Sequence, residues 1–333
     1  MRVVVDNRWM DTGGIGRYAT EVTKRLTAGA DVIVPLRATF RIRDPLGPLK
    51  LGSAIRRAGG DVFWSPGFVP PLSANLPYVV TLHDLIHVQY GTALQRAYYH
   101  TCIRPLARRA DCIVTVSEHS RKQIAMWLGI RGERVAVTPP GVASAFSPMV
   151  RPAERERPYL LYVGNYRVHK NIERMIEGFA RSGISSDCAL VIAGPPDPAL
   201  AAVASRFRVN ESFEFTGTVV EERLPSLYRG SLGLVLVSLE EGFGLPVLEA
   251  MACGVPVLCS ASIASAEISE GAALHVNPRD IDAIAAGMRS LVEDQALRER
   301  LGRAGPERAA YFSWEKTANE IRNILSRVVA EAE

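Results

Sequence analysis

Two glutamates, Glu241 and Glu249, follow the apolar run LGLVLVS (232–238) and flank a short glycine-rich turn. The apolar run predicts a buried strand, and Leu245-Pro246 predicts the start of a helix because proline suits the first helical turn. Glu241 then lies in the loop, and Glu249 lies roughly one turn into the helix. A carboxylate accepts several hydrogen bonds, so this pair suits a ligand that carries hydroxyl groups.

A second candidate site lies near the N-terminus, where Gly14-Ile15-Gly16-Arg17-Tyr18-Ala19 matches G-x-G-x-x-A. In dinucleotide-binding folds the first glycine follows its strand almost directly, and an acid ends the second strand. Here Asn7–Thr12 intervene, and Arg37 rather than an acid follows the second strand. This disfavours NAD and leaves NADP as a weak alternative. The glycines are interpreted as a tight turn, or as a helix N-terminus that offers backbone N–H groups to another anion.

Strands and helices must position these sites, and the sequence predicts two successive series of alternating strands and helices. Apolar, β-branched runs predict strands at RVVVD, DVIVPL, DVFWS, YVVTLHD, DCIVTVS and RVAVTPP, and again at YLLYVG, CALVIAG, SFEFTG, LGLVLVS, VPVLCS and ALHVN. Helices are predicted at Arg17–Leu26, Leu94–Arg109, Ser120–Leu128, Asn171–Arg181 and Leu245–Ala252. Runs that are apolar on both faces are typical of buried parallel sheets. The fold class is therefore α/β, with two Rossmann-like, doubly wound domains.

The seam between the two domains is predicted within 145–159, which is rich in proline and charge. We assign residues 1–150 to the N-terminal domain and 158–312 to the C-terminal domain. Ser313 is a suitable N-cap for a last helix over 313–333. Ligands bind beyond the carboxyl ends of strands in such sheets, so the cleft between two facing domains is the expected site.

The composition argues against several function classes. Hydrophobic residues make up 47% and charged residues 22% of the chain, which is ordinary for a globular protein. No apolar run approaches the ~18 residues of a membrane span, and no secretory signal is recognisable. The five cysteines form no C-x-x-C pair, and no D-x-D triad or His/Asp cluster occurs. We expect a cytoplasmic protein without a metal ion.

The charge is distributed unevenly. Residues 1–157 carry 22 Lys and Arg against 12 Asp and Glu, whereas residues 158–333 carry 17 against 23. Nucleic acid is not an expected partner, because the arginines lack interleaved aromatic residues and no nucleic-acid-binding motif is present. The basic half fits two other anionic partners equally well: a lipid-linked acceptor, or the inner face of the cytoplasmic membrane.

The stretch from Ser238 to Val257 resembles the E-x7-E motif of the retaining glycosyltransferases of family 4, which have the GT-B fold. The resemblance extends over nearly the whole chain. It includes Gly13–Tyr18, Thr81–Leu85, Val116–Ser120, Gly164–Asn171 and Phe215–Gly217. It implies an N-terminal acceptor domain and a C-terminal nucleotide-sugar domain, with a central cleft and a final helix that crosses back to the N-terminal domain. It also implies no cofactor, since a nucleotide-diphosphate sugar is the substrate.

The resemblance also implies roles for individual residues. Glu249 would hold the ribose hydroxyls, and Glu241 would contact the transferred sugar. Lys170 would stabilise the diphosphate, where negative charge grows as the glycosidic bond breaks. His83 would stand near the donor sugar, so Glu241, Lys170 and His83 are the candidate catalytic residues. The candidate donor-binding residues are Gly14, Gly16, Asn165, Arg167, Lys170, Thr218, Val219, Glu241, Gly242, Phe243, Gly244, Leu245 and Glu249.

The chain departs from the family pattern at two places. Asn165 and His169 occupy positions where many relatives place an arginine of the phosphate loop, and Arg167 is a candidate replacement. Ala266 stands where a proline is usual. Both departures concern the diphosphate contacts and leave the E-x7-E pair unaffected.

The leading hypothesis is a retaining hexosyltransferase that uses a GDP- or UDP-sugar and a glycan or lipid-linked acceptor hydroxyl. One alternative is an epimerase or hydrolase of nucleotide-sugars on the same fold. A second is a non-catalytic nucleotide-sugar-binding partner of another transferase. An NAD(P)-dependent oxidoreductase is the most remote of these hypotheses.

Overall fold

A computed structural model describes residues 1–10, 13–29, 31–38, 40–42 and 44–333 of the chain. The chain forms two compact units, one comprising Met1–Gly141 and Phe312–Glu333 and the other comprising Val142–Tyr311. Each unit contains one parallel six-stranded sheet. The expectation of an α/β protein with two doubly wound sheets is therefore confirmed.

The sheet of the first unit has the order β2-β1-β3-β4-β5-β6. Its strands are β1 (Arg2–Val5), β2 (Val32–Pro35), β3 (Val62–Ser65), β4 (Tyr78–Thr81), β5 (Cys112–Thr115) and β6 (Val135–Val137). Every residue of β3, β4 and β5 is buried, as expected for apolar strands that are covered on both faces.

Among the residues that the structure describes, six helices accompany this sheet before the chain enters the second unit. They are α1 (Gly13–Ala28), α2 (Gly47–Ala58), α3 (Ile86–Gln89), α4 (Ala93–Tyr98), α5 (Arg104–Ala107) and α6 (Glu118–Leu128). A π-helical turn over Tyr99–Ile103 joins α4 to α5, and a 3₁₀ helix over Asn7–Trp9 follows β1.

The sheet of the second unit has the order β12-β11-β10-β7-β8-β9. Its strands are β7 (Tyr159–Val163), β8 (Ala189–Ala193), β9 (Phe213–Phe215), β10 (Gly233–Leu236), β11 (Val257–Ser260) and β12 (Leu274–Val276). The strand order reverses between β7 and β10, which pair directly. Loops that follow these two strands therefore emerge side by side, at the point where such sheets bind ligands.

Seven helices of the second unit connect and cover these strands. They are α7 (Ile172–Ser182), α8 (Pro198–Arg206), α9 (Leu224–Gly230), α10 (Leu245–Ala252), α11 (Ile263–Ser269), α12 (Ile281–Glu293) and α13 (Gln295–Ala309). Within the described residues, no helix has both the length and the apolar character needed to cross a bilayer.

The last helix, α14 (Trp314–Ala330), belongs to the first unit and packs against α1. Ser313 caps it by accepting a hydrogen bond from the backbone N–H of Lys316. Arg322 pairs with Asp31 at 2.8 Å, and Arg25 on α1 pairs with Glu315 at 2.8 Å. The first unit is thus assembled from two separated parts of the chain.

Candidate active site

A lysine and a glutamate meet at the point where the strand order of the second sheet reverses. Lys170, which follows β7, donates from Nζ to Oε1 of Glu241, which follows β10, at 2.7 Å. Their side chains are only 11% and 12% exposed. Ser238 also donates to Oε1 of Glu241, at 2.7 Å. An ammonium has three N–H donors, so Lys170 can bind an anion while it remains beside Glu241.

The loops that carry this pair are fastened to each other. The backbone N–H of Leu239 donates to the carbonyl of His169 at 2.7 Å. Asn171 Nδ2 donates to the carbonyls of Val237 at 2.9 Å and Pro278 at 2.7 Å. Asn171 has a φ of 59°, a left-handed conformation that asparagine tolerates better than most residues, and it precedes α7 directly. This asparagine therefore fixes the position of Lys170 relative to the loop of Glu241.

Helix α10 begins directly after a glycine-rich turn over Gly242–Gly244, which lies between the two glutamates of the E-x7-E motif. Gly242, Phe243 and Gly244 are buried, and Gly244 has a φ of 106°, which favours glycine. Leu245 is the first residue of α10 and is half-buried. The turn thus brings the uncapped N-terminus of α10 next to the loop of Glu241, where its backbone N–H groups can bind a phosphate oxygen.

Glu249 lies in the second turn of α10 and is only 3% exposed. The hydroxyl of Tyr228 on α9 donates to its Oε2 at 2.9 Å. A buried carboxylate needs such partners, since an unsatisfied buried charge is costly. The structure therefore holds Glu249 in one orientation, which suits a group that must recognise a defined pair of hydroxyls.

The remaining donor-site candidates of the second unit lie in loops after β7 and β9. Asn165 is exposed, and its Oδ1 accepts from the backbone N–H of Arg167 at 3.3 Å. Arg167 is exposed and lines a cavity of about 380 Å³ with Arg174 and Arg206. Lys170 and Glu241 do not line that cavity. The assignment of Arg167 to the donor therefore stays a prediction.

Thr218 and Val219 follow β9, with Thr218 exposed and Val219 half-buried. The loops after β8 and β9 are joined because the N–H of Gly194 donates to Oγ1 of Thr216 at 3.2 Å. A base that binds at Thr218 and Val219 would therefore rest on two connected loops. This assignment also stays a prediction.

Gly14 and Gly16 lie in the first turn of α1, which begins at Gly13. The helix therefore starts before the expected Arg17. Backbone N–H groups in the first turn of a helix have no intrahelical acceptor, so they can donate to a group outside the helix, such as an anion. Gly16 has a steric role as well, because a Cβ at this position would overlap the carbonyl of Met10.

His83 follows β4 in the first unit and is half-buried. Its Nε2 is 2.8 Å from the carbonyl oxygen of Pro66, and its ring lies edge-on to Tyr18 with centroids 5.1 Å apart. Because the carbonyl can only accept, Nε2 carries the proton and Nδ1 is the acceptor of the neutral ring. Burial lowers the pKa of His83 below its ordinary value. His83 therefore suits a hydrogen-bonding role toward a sugar rather than a cationic one.

Three contact residues were not assigned roles from the sequence: Ser238, Asn171 and Tyr228. The first two lie inside the recognised motifs, whereas Tyr228 has no local signal because it is 21 residues from Glu249.

In the part of the chain that the structure describes, no three His, Cys, Asp or Glu side chains cluster as a metal site would require.

Comparisons with known proteins identify the family and the fold. The profile of the family "Glycosyl transferases group 1" matches residues 148–308, and that of "Glycosyltransferase Family 4" matches residues 30–146. The O-antigen chain mannosyltransferase B of Escherichia coli is 28% identical, over 93% of this chain and 95% of its own length.

Solved structures share the fold at lower identity. A sucrose-phosphate synthase from Thermosynechococcus elongatus has a TM-score of 0.83 at 21% identity, with 99% of both chains covered. The Anabaena protein HepE, solved in complex with UDP-glucose, has a TM-score of 0.78 at 15% identity, with 98% of this chain and 100% of that chain covered. The chain therefore belongs to the glycosyltransferases of family 4 and has their GT-B fold.

Proposed function

We propose that this glycosyltransferase moves a hexosyl group from a GDP- or UDP-sugar to a hydroxyl group of a growing glycan, with retention of the anomeric configuration. The observation that carries the proposal is the 2.7 Å contact between Lys170 and Glu241 where the strand order reverses. A cation and a carboxylate that lie together in this way suit the diphosphate and the sugar of one donor. The relative that acts on the O-antigen chain and the neighbour solved with UDP-glucose support the acceptor and donor classes.

In this proposal Lys170 stabilises the diphosphate as negative charge develops on it, and Glu241 holds the sugar that is transferred. Glu249 holds the ribose. The assignment of Gly14, Gly16 and His83 to the donor stays a prediction. No protein nucleophile is required, because the departing phosphate can take the acceptor proton on the face from which it leaves.

Sugar transfer is expected to persist in excess EDTA, because Lys170 and helix-end amides provide the electrostatic stabilisation that a metal ion supplies elsewhere. UDP- and GDP-hexoses are first screened by thermal unfolding, since a donor at 100 times its Kd stabilises the folded state by about 2.7 kcal/mol. The donor found is then incubated with octyl glycosides and oligosaccharides, with and without EDTA. Products are identified by mass spectrometry and NMR.

The product identifies the reaction. A glycoside with retained configuration supports the proposal, whereas free sugar, an altered nucleotide-sugar or no turnover of any donor overturns it. Loss of transfer in EDTA that Mg²⁺ or Mn²⁺ restores would contradict the metal-free mechanism. Lys170→Ala, purified in the same way, is the control for contaminating transferases, because transfer by a contaminant would persist in that preparation.

We also propose weak, reversible binding of the first unit to anionic membranes. Arg96 on α4 and Arg108 and Arg109 directly after α5 are exposed, and Leu94 on α4 is 81% exposed. Tyr99, which lies between Arg96 and Arg108 in the chain, is only 5% exposed and packs in an aromatic cluster with Phe68. The apolar contact with lipid is therefore assigned to Leu94.

Charge reversal of Arg96, Arg108 and Arg109 together is expected to lower vesicle binding at least about tenfold at low salt, because each basic residue near an anionic surface contributes about 1 kcal/mol. The measurement is co-sedimentation with phosphatidylglycerol–phosphatidylcholine vesicles at low and high salt. Arg181→Glu, on the outer side of α7, is the matched control. Binding that is absent at low salt, or that salt does not weaken, would contradict the proposal.

A further inference from the structure

Tyr228 and Glu249 form a hydrogen-bonded pair in the interior of the second unit. The phenol is fully buried, the carboxylate is 3% exposed, and Oη lies 2.9 Å from Oε2. A hydroxyl that donates to a carboxylate makes one of the stronger hydrogen bonds in proteins. This bond engages Oε2, so a residue outside the E-x7-E motif helps to set the plane and the direction of the Glu249 carboxylate.

The position of the phenol is fixed by the chain that precedes β7. The ring of Phe146 packs edge-on against Tyr228 with centroids 5.9 Å apart. The backbone N–H of Ala153 donates to the carbonyl of Ser226 on α9 at 2.8 Å. A Cβ at Gly230 would overlap the backbone of Ala153, so α9 and this segment are in close contact. Tyr228 therefore presents its hydroxyl from a rigid support.

We propose that Tyr228 is a positioning residue that orients Glu249 toward the ribose hydroxyls and so sets the preference for ribonucleotide over deoxyribonucleotide donors. The proposal rests on the proposed function, which assigns Glu249 to the ribose. A site that is built to hydrogen-bond a hydroxyl rejects an analogue that lacks it, provided that its polar groups are held in place. Without the phenol hydroxyl, the Glu249 carboxylate loses the hydrogen bond that engages Oε2, and the preference for ribonucleotide donors should weaken.

Tyr228→Phe is the test variant, because it keeps the packed ring and removes only the hydroxyl. It is expected to raise the donor KM by about 10- to 100-fold, which corresponds to the loss of one hydrogen bond between the Glu249 carboxylate and a ribose hydroxyl. The kcat should change less than about threefold, because the ribose does not change during the reaction. The ratio of affinities for the ribonucleoside diphosphate and its 2′-deoxy analogue should fall toward one.

Tyr159→Phe is the matched control. The Tyr159 hydroxyl is also buried and donates to the carbonyl of Leu227 on α9 at 2.6 Å, but it does not contact Glu249. Calorimetric Kd values are measured for UDP, GDP and their 2′-deoxy forms, together with melting temperatures. A purely structural role predicts equal effects of the two variants on ribose preference, and that result would overturn the proposal.

Glu249→Gln, measured in parallel, separates this inference from the assignment of the donor site. If Glu249→Gln loses the ribose preference and Tyr228→Phe loses most of it, the positioning role is supported. If Glu249→Gln loses it and Tyr228→Phe keeps it, the positioning role is overturned while the donor site remains. If Glu249→Gln keeps it, both assignments are overturned.

Discussion

Replacement of Lys170 by alanine is expected to lower kcat for sugar transfer by about 10²–10³-fold, as for other lost electrostatic stabilisers. The change in donor KM should be much smaller, because the charge on the leaving diphosphate increases mainly in the transition state. Ser238 can still donate to Glu241 when Lys170 is removed, so this carboxylate keeps a partner that holds it in place. The measurement is steady-state kinetics over donor concentration with saturating acceptor.

Lys170 is the only lysine between residues 142 and 311, so the nearest matched control is an arginine. Arg181→Ala on α7 removes an exposed cation that pairs with Glu177 and Asp282, and it should leave kcat unchanged. Lys170→Arg keeps the positive charge but replaces the ammonium by a planar guanidinium, so it should retain part of the activity. A Lys170→Ala enzyme with nearly full kcat, or one impaired only in KM, would contradict the placement of the diphosphate.

Replacement of Trp314 by alanine is expected to destabilise the first unit by about 3–5 kcal/mol, the usual cost of removing a large buried aromatic side chain. Trp314 is 1% exposed at the start of α14, and its ring lies 6.0 Å from that of Tyr18. Its backbone contacts Gly141 so closely that a Cβ there would overlap it. The loss of this side chain should therefore loosen α14 from α1.

Urea unfolding followed by far-UV circular dichroism measures the loss of stability, and limited proteolysis followed by mass spectrometry locates it. New cleavage is expected between Tyr311 and α14. Tyr311→Ala is the control, because this neighbouring aromatic side chain is 69% exposed and should contribute little. Equal unfolding midpoints for Trp314→Ala and the wild-type protein would contradict the docking role of Trp314.

The strands of both sheets were predictable because most of their residues are apolar. The run VFWS becomes β3 and the run ALVIA becomes β8, each with hardly any exposed residue. Helix α1 was predicted too short, because Gly13, Gly14 and Gly16 have low helix propensity. Packing decided otherwise, since the absence of a side chain at Gly16 lets the first turn approach Met10.

The contacts within the site could not be derived in the same way. Lys170 and Glu241 are 71 residues apart, and they meet because β7 and β10 are neighbours in the sheet. Strand order is a property of the whole fold, and apolar periodicity does not encode it. The resemblance to a family supplied the two residues as candidates, but not the 2.7 Å contact between them or the part that Ser238 plays.

The first unit is completed by residues that follow the second unit in the chain, and this has a consequence for folding during synthesis. When Gly141 leaves the ribosome, α1 still lacks the helix that covers it, and about 170 residues of the second unit must be made first. At 5–20 residues per second this delay is roughly 10–35 s. The second unit is contiguous and can fold in that time. The side of α1 that α14 covers, which includes Tyr18, then remains accessible to chaperones until Trp314 arrives.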